Sequence, residues 1–248
     1  MLKVRIIPIL TFNGFGLVKT KKFANPRMVG NPVQSARVYN SRGVDELVFI
    51  DIFASLQNRK INLKLVADVI KECYMPVAIG GGIQTIEDIN NLLKIGADKV
   101  IIKTKALLDK NFIKEAVAFF GSQCISISID AYETPKGYKI YNKLNIDISL
   151  EDFINEMIHC KVGEFVVVSV DNDGMMDGFD IKLINEITKL TNIPIIAAGG
   201  GGLMEHYNEL FSQTRVQAVG SASIFHFTQF TPLDIKNELK SINIPVRI

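Results

Sequence analysis

A (β/α)₈ barrel with a two-fold half-barrel repeat is the fold class this chain predicts. Three observations carry it: eight short apolar runs rich in β-branched residues, helix-like stretches between them, and a spacing pattern that recurs at half the chain length. The runs begin at Val4 (VRIIPIL), Glu46 (ELVFID), Pro76 (PVAIG), Lys99 (KVIIK), Cys124 (CISISID), Glu164 (EFVVVSV), Ile193 (IPIIAA) and Val216 (VQAVG). Runs this continuously apolar suit strands buried on both faces, as in a parallel sheet covered by helices. The helical stretches are VQSARVYNSRG, NLKLVADVIKE, IEDINNLLKIG, NFIKEAVAFFG, LEDFINEMIHCKVG, IKLINEITKLT and LMEHYNELF, several closing on the glycine that helix C-termini favour.

Spacing adds the repeat. Strand starts are separated by roughly 42, 30 and 23 residues, then, after a step of about 25, by roughly 40, 29 and 23. Gly80 and Gly199 lie 119 residues apart, as do Thr104 and Ser223, and Thr11 and Asp130. An open doubly wound sheet also alternates strands and helices, but predicts no such duplication. The expected organisation is one TIM-barrel domain over 1–248, with half-barrels at roughly 1–120 and 121–248.

Composition narrows the function classes. Of 248 residues 48% are hydrophobic and 22% charged, enough for one large core and unlike a disordered chain. A formal charge of +2 gives no reason to expect nucleic acid. The densest basic spot, Lys19, Lys21 and Lys22, reads most simply as a solvated loop. Cys73, Cys124 and Cys160 form no CxxC pair, which suits a reducing compartment. His159, His206 and His226 show no ligand spacing, so neither a metal nor another cofactor is expected. The opening MLKVRIIPIL is far shorter than a membrane span and reads as a strand, so the expectation is a cytoplasmic protein with no membrane contact.

In such barrels chemistry sits at the C-terminal ends of the strands. There the repeat supplies an anion pocket twice. Gly81 and Gly82 after the third strand face Lys103 and Thr104 after the fourth; Gly199 and Gly200 after the seventh face Ala222 and Ser223 after the eighth. Glycines let backbone N–H groups approach a phosphate closely, and the hydroxyls add donors. One glycine cluster alone is equally a tight turn; two, each paired with a hydroxyl after the next strand, imply a ligand with a phosphate at each end. Between the pockets stand carboxylates at strand ends: Asp51, Asp130, Asp171 and Asp173. Each could simply cap a loop; Asp130, at a strand tip and central by the repeat, is the candidate general acid or base. At the opposite mouth Arg5, Glu46, Lys99 and Glu164 each stand near a strand start, where inward-pointing charges would make a ring rather than scattered surface charge.

Along almost its whole length the chain resembles the HisF family, cyclase subunits of imidazole glycerol phosphate synthase. The stretches that carry this are RIIP, GVDELVFIDI-AS, GGGI, GADKV, FGSQC, SIDA, DNDG-x-x-DGFD, IIAAGGGG-x-MEH and SIFHF. The resemblance implies a separate HisH-like glutaminase docked on the N-terminal face and an ammonia gate formed by Arg5, Glu46, Lys99 and Glu164. Ammonia would pass along the barrel axis to a ribulose-type nucleotide phosphorylated at both ends. Lys19, Asp51, Thr104, Asp173 and Gly174 fall on binding positions of that pattern. One departure concerns the chemistry: the family pairs two catalytic aspartates, and where the first is expected this chain has Thr11, whose hydroxyl cannot titrate near neutral pH. Lys103 and Ala198 stand where the pattern has asparagine and serine. An intact gate with an altered centre resembles HisF-like paralogues of surface-polysaccharide pathways, in which ammonia goes to a third protein that forms acetamidino groups on N-acetyl sugars. The alternatives are the histidine-pathway cyclase itself and a non-catalytic barrel that activates the glutaminase.

Overall fold

The computed structural model describes residues 3–248; Met1 and Leu2, at the head of the first apolar run, lie outside the described residues. Strands β1 (Arg5–Phe12), β2 (Leu47–Asp51), β3 (Val77–Gly80), β4 (Lys99–Ile102), β5 (Ile125–Thr134), β6 (Glu164–Ser169), β7 (Ile195–Ala198) and β8 (Ala218–Ser221) pair in parallel, each with the next. Strand β8 returns to β1 in the register Arg5↔Ala218 to Pro8↔Ser221 and closes the cylinder. The fold is a (β/α)₈ TIM barrel, with every strand start within two residues of its sequence expectation.

Helices α1 (Pro32–Ser41), α2 (Leu63–Ile70), α3 (Ile86–Lys94), α4 (Lys110–Phe120), α5 (Leu150–His159), α6 (Ile181–Leu190), α7 (Met204–Gln213) and α8 (Pro232–Ser241) alternate with these strands along the chain. Most start on a side-chain cap: Asn31, Asn62, Thr85, Asp109, Ser149, Asp180 and Thr231 accept from first-turn N–H groups. Strand pleat divides the core in two. On β1, Ile6, Leu10 and Phe12 join the layer between barrel and helices, while Ile7 and Ile9 point into the lumen with Val48, Ala78, Ile101, Val166, Ile196 and Ala218. On β5 the same alternation sends Ile125, Ile127 and Ile129 outward and turns Ser126, Ser128 and Asp130 inward.

Three features exceed the sequence expectation. A hairpin, Leu17–Lys21 with Ala24–Gly30, follows β1, and β5 runs past Asp130 to pair antiparallel with Gly137–Ile140. Both hairpins stand on top of the cylinder; Leu17, Val18, Tyr138 and Ile140 are buried, but these strands are short and mixed with polar residues and lie outside the eight apolar runs. Short helices Thr104–Leu108 and Ser223–Phe227 follow β4 and β8 at the 119-residue offset. Helix α8 is also additional, though Thr231, Pro232 and Asp234 spell its start: a capping box with proline in the first turn. Among the described residues no helix is long and apolar enough to cross a membrane.

Candidate active site

The C-terminal strand ends surround a cavity of about 310 Å³. Of the residues placed at this mouth by sequence reasoning, Thr11, Lys19, Asp51, Gly81, Gly82, Lys103, Thr104, Asp130, Asp173, Gly174, Gly199, Gly200, Ala222 and Ser223 line it, and Asp171 does not.

Asp130 stands on the inner face of β5, its Oδ2 2.5 Å from Lys103 Nζ and its Oδ1 accepting from the Ser128 hydroxyl at 2.8 Å. Lys103 sits 5.3 Å from the Tyr141 ring centre and 5.7 Å from that of Phe23, with the two rings edge to face at 5.4 Å. These aromatics come from opposite hairpin regions and roof the ion pair. Thr11, on the diametrically opposed strand, donates its hydroxyl to the Val18 carbonyl at the base of the first hairpin. A hydroxyl so engaged supplies neither a proton acceptor nor a negative charge. Across the mouth from Asp130 there is thus a hydroxyl rather than a second carboxylate.

The other aspartates hold loops. Asp173 binds Lys19 Nζ at 2.6 Å and the Thr20 hydroxyl at 2.9 Å, and its carbonyl accepts from the Lys22 N–H. This corrects the reading of the basic cluster as solvated: Lys21 and Lys22 are exposed, but Lys19 is 7% exposed and paired. Gly174 belongs to the same latch, since a Cβ there would lie 2.1 Å from the Thr20 carbonyl oxygen. Asp171 accepts from the Glu133 N–H and ties down the second hairpin. Asp51 is a second correction. Its fully buried carboxylate is gripped by Arg59 at 2.5 and 2.8 Å and caps the Phe53 and Ala54 N–H groups. It shapes the wall and offers no unengaged oxygen to a ligand. Arg59 lay outside the sequence reading because nothing local links it to Asp51 eight residues earlier.

The two glycine pockets flank Asp130. Gly81 and Gly200, equivalent by the repeat, hold φ of 111° and 116°, a region open to glycine at little cost. The Ser223 hydroxyl is buried and, among the described residues, has no hydrogen-bond partner. A buried donor left unpaired costs about 1–3 kcal/mol, which a bound anion would recover. Nearby, burial pushes the His226 imidazole down from its ordinary value and the Lys19 ammonium adds to the shift, so both favour the neutral ring.

At the other end, Arg5 binds Glu46 at 2.6 Å and Glu164 at 2.5 Å, and Lys99 binds the same two carboxylates at 3.0 and 2.9 Å. Charges of alternating sign form a closed ring across the lumen. Burial disfavours the Arg5 charge, but Glu164 and Glu46 outweigh it and hold its pKa above the ordinary value.

Comparison with known proteins agrees with this geometry. The family model described as histidine biosynthesis protein matches residues 5–231. The chain is 42% identical to the imidazole glycerol phosphate synthase subunit HisF of Staphylococcus saprophyticus over 252 aligned residues, covering 100% of both chains. It is 39% identical to the subunit of that name from Streptococcus mutans and 37% to that from Natranaerobius thermophilus, again over 100% of each chain. A full-length barrel of this kind, matched end to end by relatives of one name, belongs to the HisF family of histidine biosynthesis proteins.

Proposed function

We propose that this chain is the barrel subunit of a glutamine amidotransferase of the imidazole glycerol phosphate synthase type. A HisH-like glutaminase docks on the N-terminal face and ammonia enters through the ring of Arg5, Glu46, Lys99 and Glu164. It then moves along the lumen to a ligand phosphorylated at both ends. The observation that carries this reading is the pair of repeat-related glycine pockets flanking Asp130 in one cavity. Phosphates in those pockets would stretch a ligand across the mouth with its reactive centre beside Asp130, which acts as general acid and base. Names of the full-length relatives favour the histidine-pathway nucleotide as that ligand over the surface-polysaccharide assignment.

The decisive experiment is turnover of that nucleotide with ammonium, or with glutamine and the glutaminase. Wild type is expected to react, and Asp130→Asn to lose about 10²–10⁴ of the rate while remaining folded. Unchanged turnover in the variant would remove Asp130 from the mechanism.

A second reading rests on Thr11 and on the Lys103–Asp130 ion pair. With a hydroxyl where the family carries its first acid, and an ammonium already on the second, the barrel would conduct ammonia to another protein that amidates an N-acetyl sugar. No wild-type turnover of the nucleotide, together with glutamine-dependent acetamidino formation once that third protein is added, would favour this reading. Stimulation of the glutaminase with neither product would reduce the barrel to an activator.

A further inference from the structure

Inside the aliphatic lumen one polar atom has no explanation in the fold. The Ser126 hydroxyl is buried, 1% exposed as a residue, and has no hydrogen-bond partner among the described residues. Its neighbours in the barrel wall fix its height. Ser126 is in register with Glu164 on β6 and with Ile101 on β4, so it lies level with Glu164 at the upper edge of the charged ring and one inward position above Lys99. Two residues on, Ser128 binds Asp130. Alternation along β5 therefore lays Ser126, Ser128 and Asp130 in one vertical seam, while the facing lumen positions are Ile7, Ile9, Val48, Ala78, Val166 and Ile196. Successive inward side chains on a strand stand about 6.6–6.8 Å apart, a gap that one small hydrogen-bonding molecule spans. A desolvated hydroxyl left unpaired in this layer destabilises the barrel by more than an alanine would.

We infer that Ser126 is a positioning residue for transit: its hydroxyl is the first hydrogen-bonding station for ammonia that has passed the ring, handing it to Ser128 and Asp130 along an otherwise apolar bore. The inference rests on the proposed function, and the test separates the two. In the complex with its glutaminase, with glutamine and the bis-phosphorylated nucleotide, the readout is product formed per glutamate released. Ser126→Ala is expected to raise the melting temperature, because it removes an unpaired polar group, yet to lower that ratio about fivefold, equivalent to roughly 1 kcal/mol at 1.4 kcal/mol per tenfold. Ser126→Thr, which keeps a hydroxyl, is expected to restore the ratio. A merely structural serine would move the melting temperature and leave the ratio alone. An alanine variant that stays fully coupled overturns the inference alone. One that is less stable than wild type also overturns it, because the hydroxyl would then already have a partner. A wild-type complex that forms no product from glutamine brings down the proposed function, and the transit role with it.

Discussion

Single residues at the mouth serve more as fasteners than as ligand contacts. Asp173 and Asp51, both adjacent to the cavity, use their oxygens on Lys19, Thr20 and Arg59. Contacts this close make the fasteners sensitive to small changes. Gly174 is the sharpest case. Gly174→Ala would place a methyl 2.1 Å from the Thr20 carbonyl oxygen, so the first hairpin must lift away. The expected cost is about 1–3 kcal/mol, visible as a lower melting temperature with faster proteolysis in residues 17–30; a variant that melts and is cleaved like wild type would show the latch to be slack. Sequence reasoning placed Asp130 and both glycine clusters around one mouth because the repeat pairs them, and all of them line the cavity. It missed Arg59, Phe23 and Tyr141, whose partners are set by loop conformations that no periodicity records.

Elements are held by caps as much as by apolar faces. Helix α3 starts on a capping box in which the Thr85 hydroxyl accepts from the Asp88 N–H and the Asp88 carboxylate accepts back from Thr85. Lys60, in the loop before α2, adds an ion pair to Asp88 at 2.7 Å. Burial alone would raise the Asp88 pKa, but Lys60 and the backbone N–H groups of Gln84 and Thr85 hold it below the ordinary value. A carboxyl depressed on folding stabilises above its unfolded pKa and loses that contribution as pH falls through the folded one. Wild type should therefore lose melting temperature below about pH 4 more steeply than Asp88→Asn, whose curve starts lower and runs flatter there. Parallel curves would remove Asp88 from the acid limb. Thr85→Ala should cost about 1 kcal/mol at neutral pH.

For the whole molecule, closure is the property that everything else requires, and one buried ion pair secures the seam where it happens. Lys236 on α8 binds Asp45 at 3.0 Å and the Gly43 carbonyl at 2.9 Å, with both side chains almost wholly buried. Asp45 in turn accepts from the Ile6 N–H on β1 at 2.9 Å. The last helix is thereby pinned to the first strand. Asp45→Ala leaves the Lys236 charge buried and unpaired and should cost about 3–5 kcal/mol in denaturant unfolding. Asp45→Ala combined with Lys236→Met should cost less than the two single changes added together, because the second removes the stranded charge. Simple additivity would show that the two do not act as a pair.

What the amino-acid sequence determined by itself is the cylinder, its duplication and the mouth that holds the cavity. Continuous apolar runs, capping residues and equal offsets are local or periodic signals, and a closed barrel covered by helices is how eight such strands bury both faces. Tertiary structure alone decided which charges are used up. Lys19, Asp51 and Lys103 read as open ligand groups in one dimension, but each meets an oppositely charged partner in space. An ion pair depends on where loops fold back over the mouth, and that is settled by packing across the barrel rather than by neighbours in the chain.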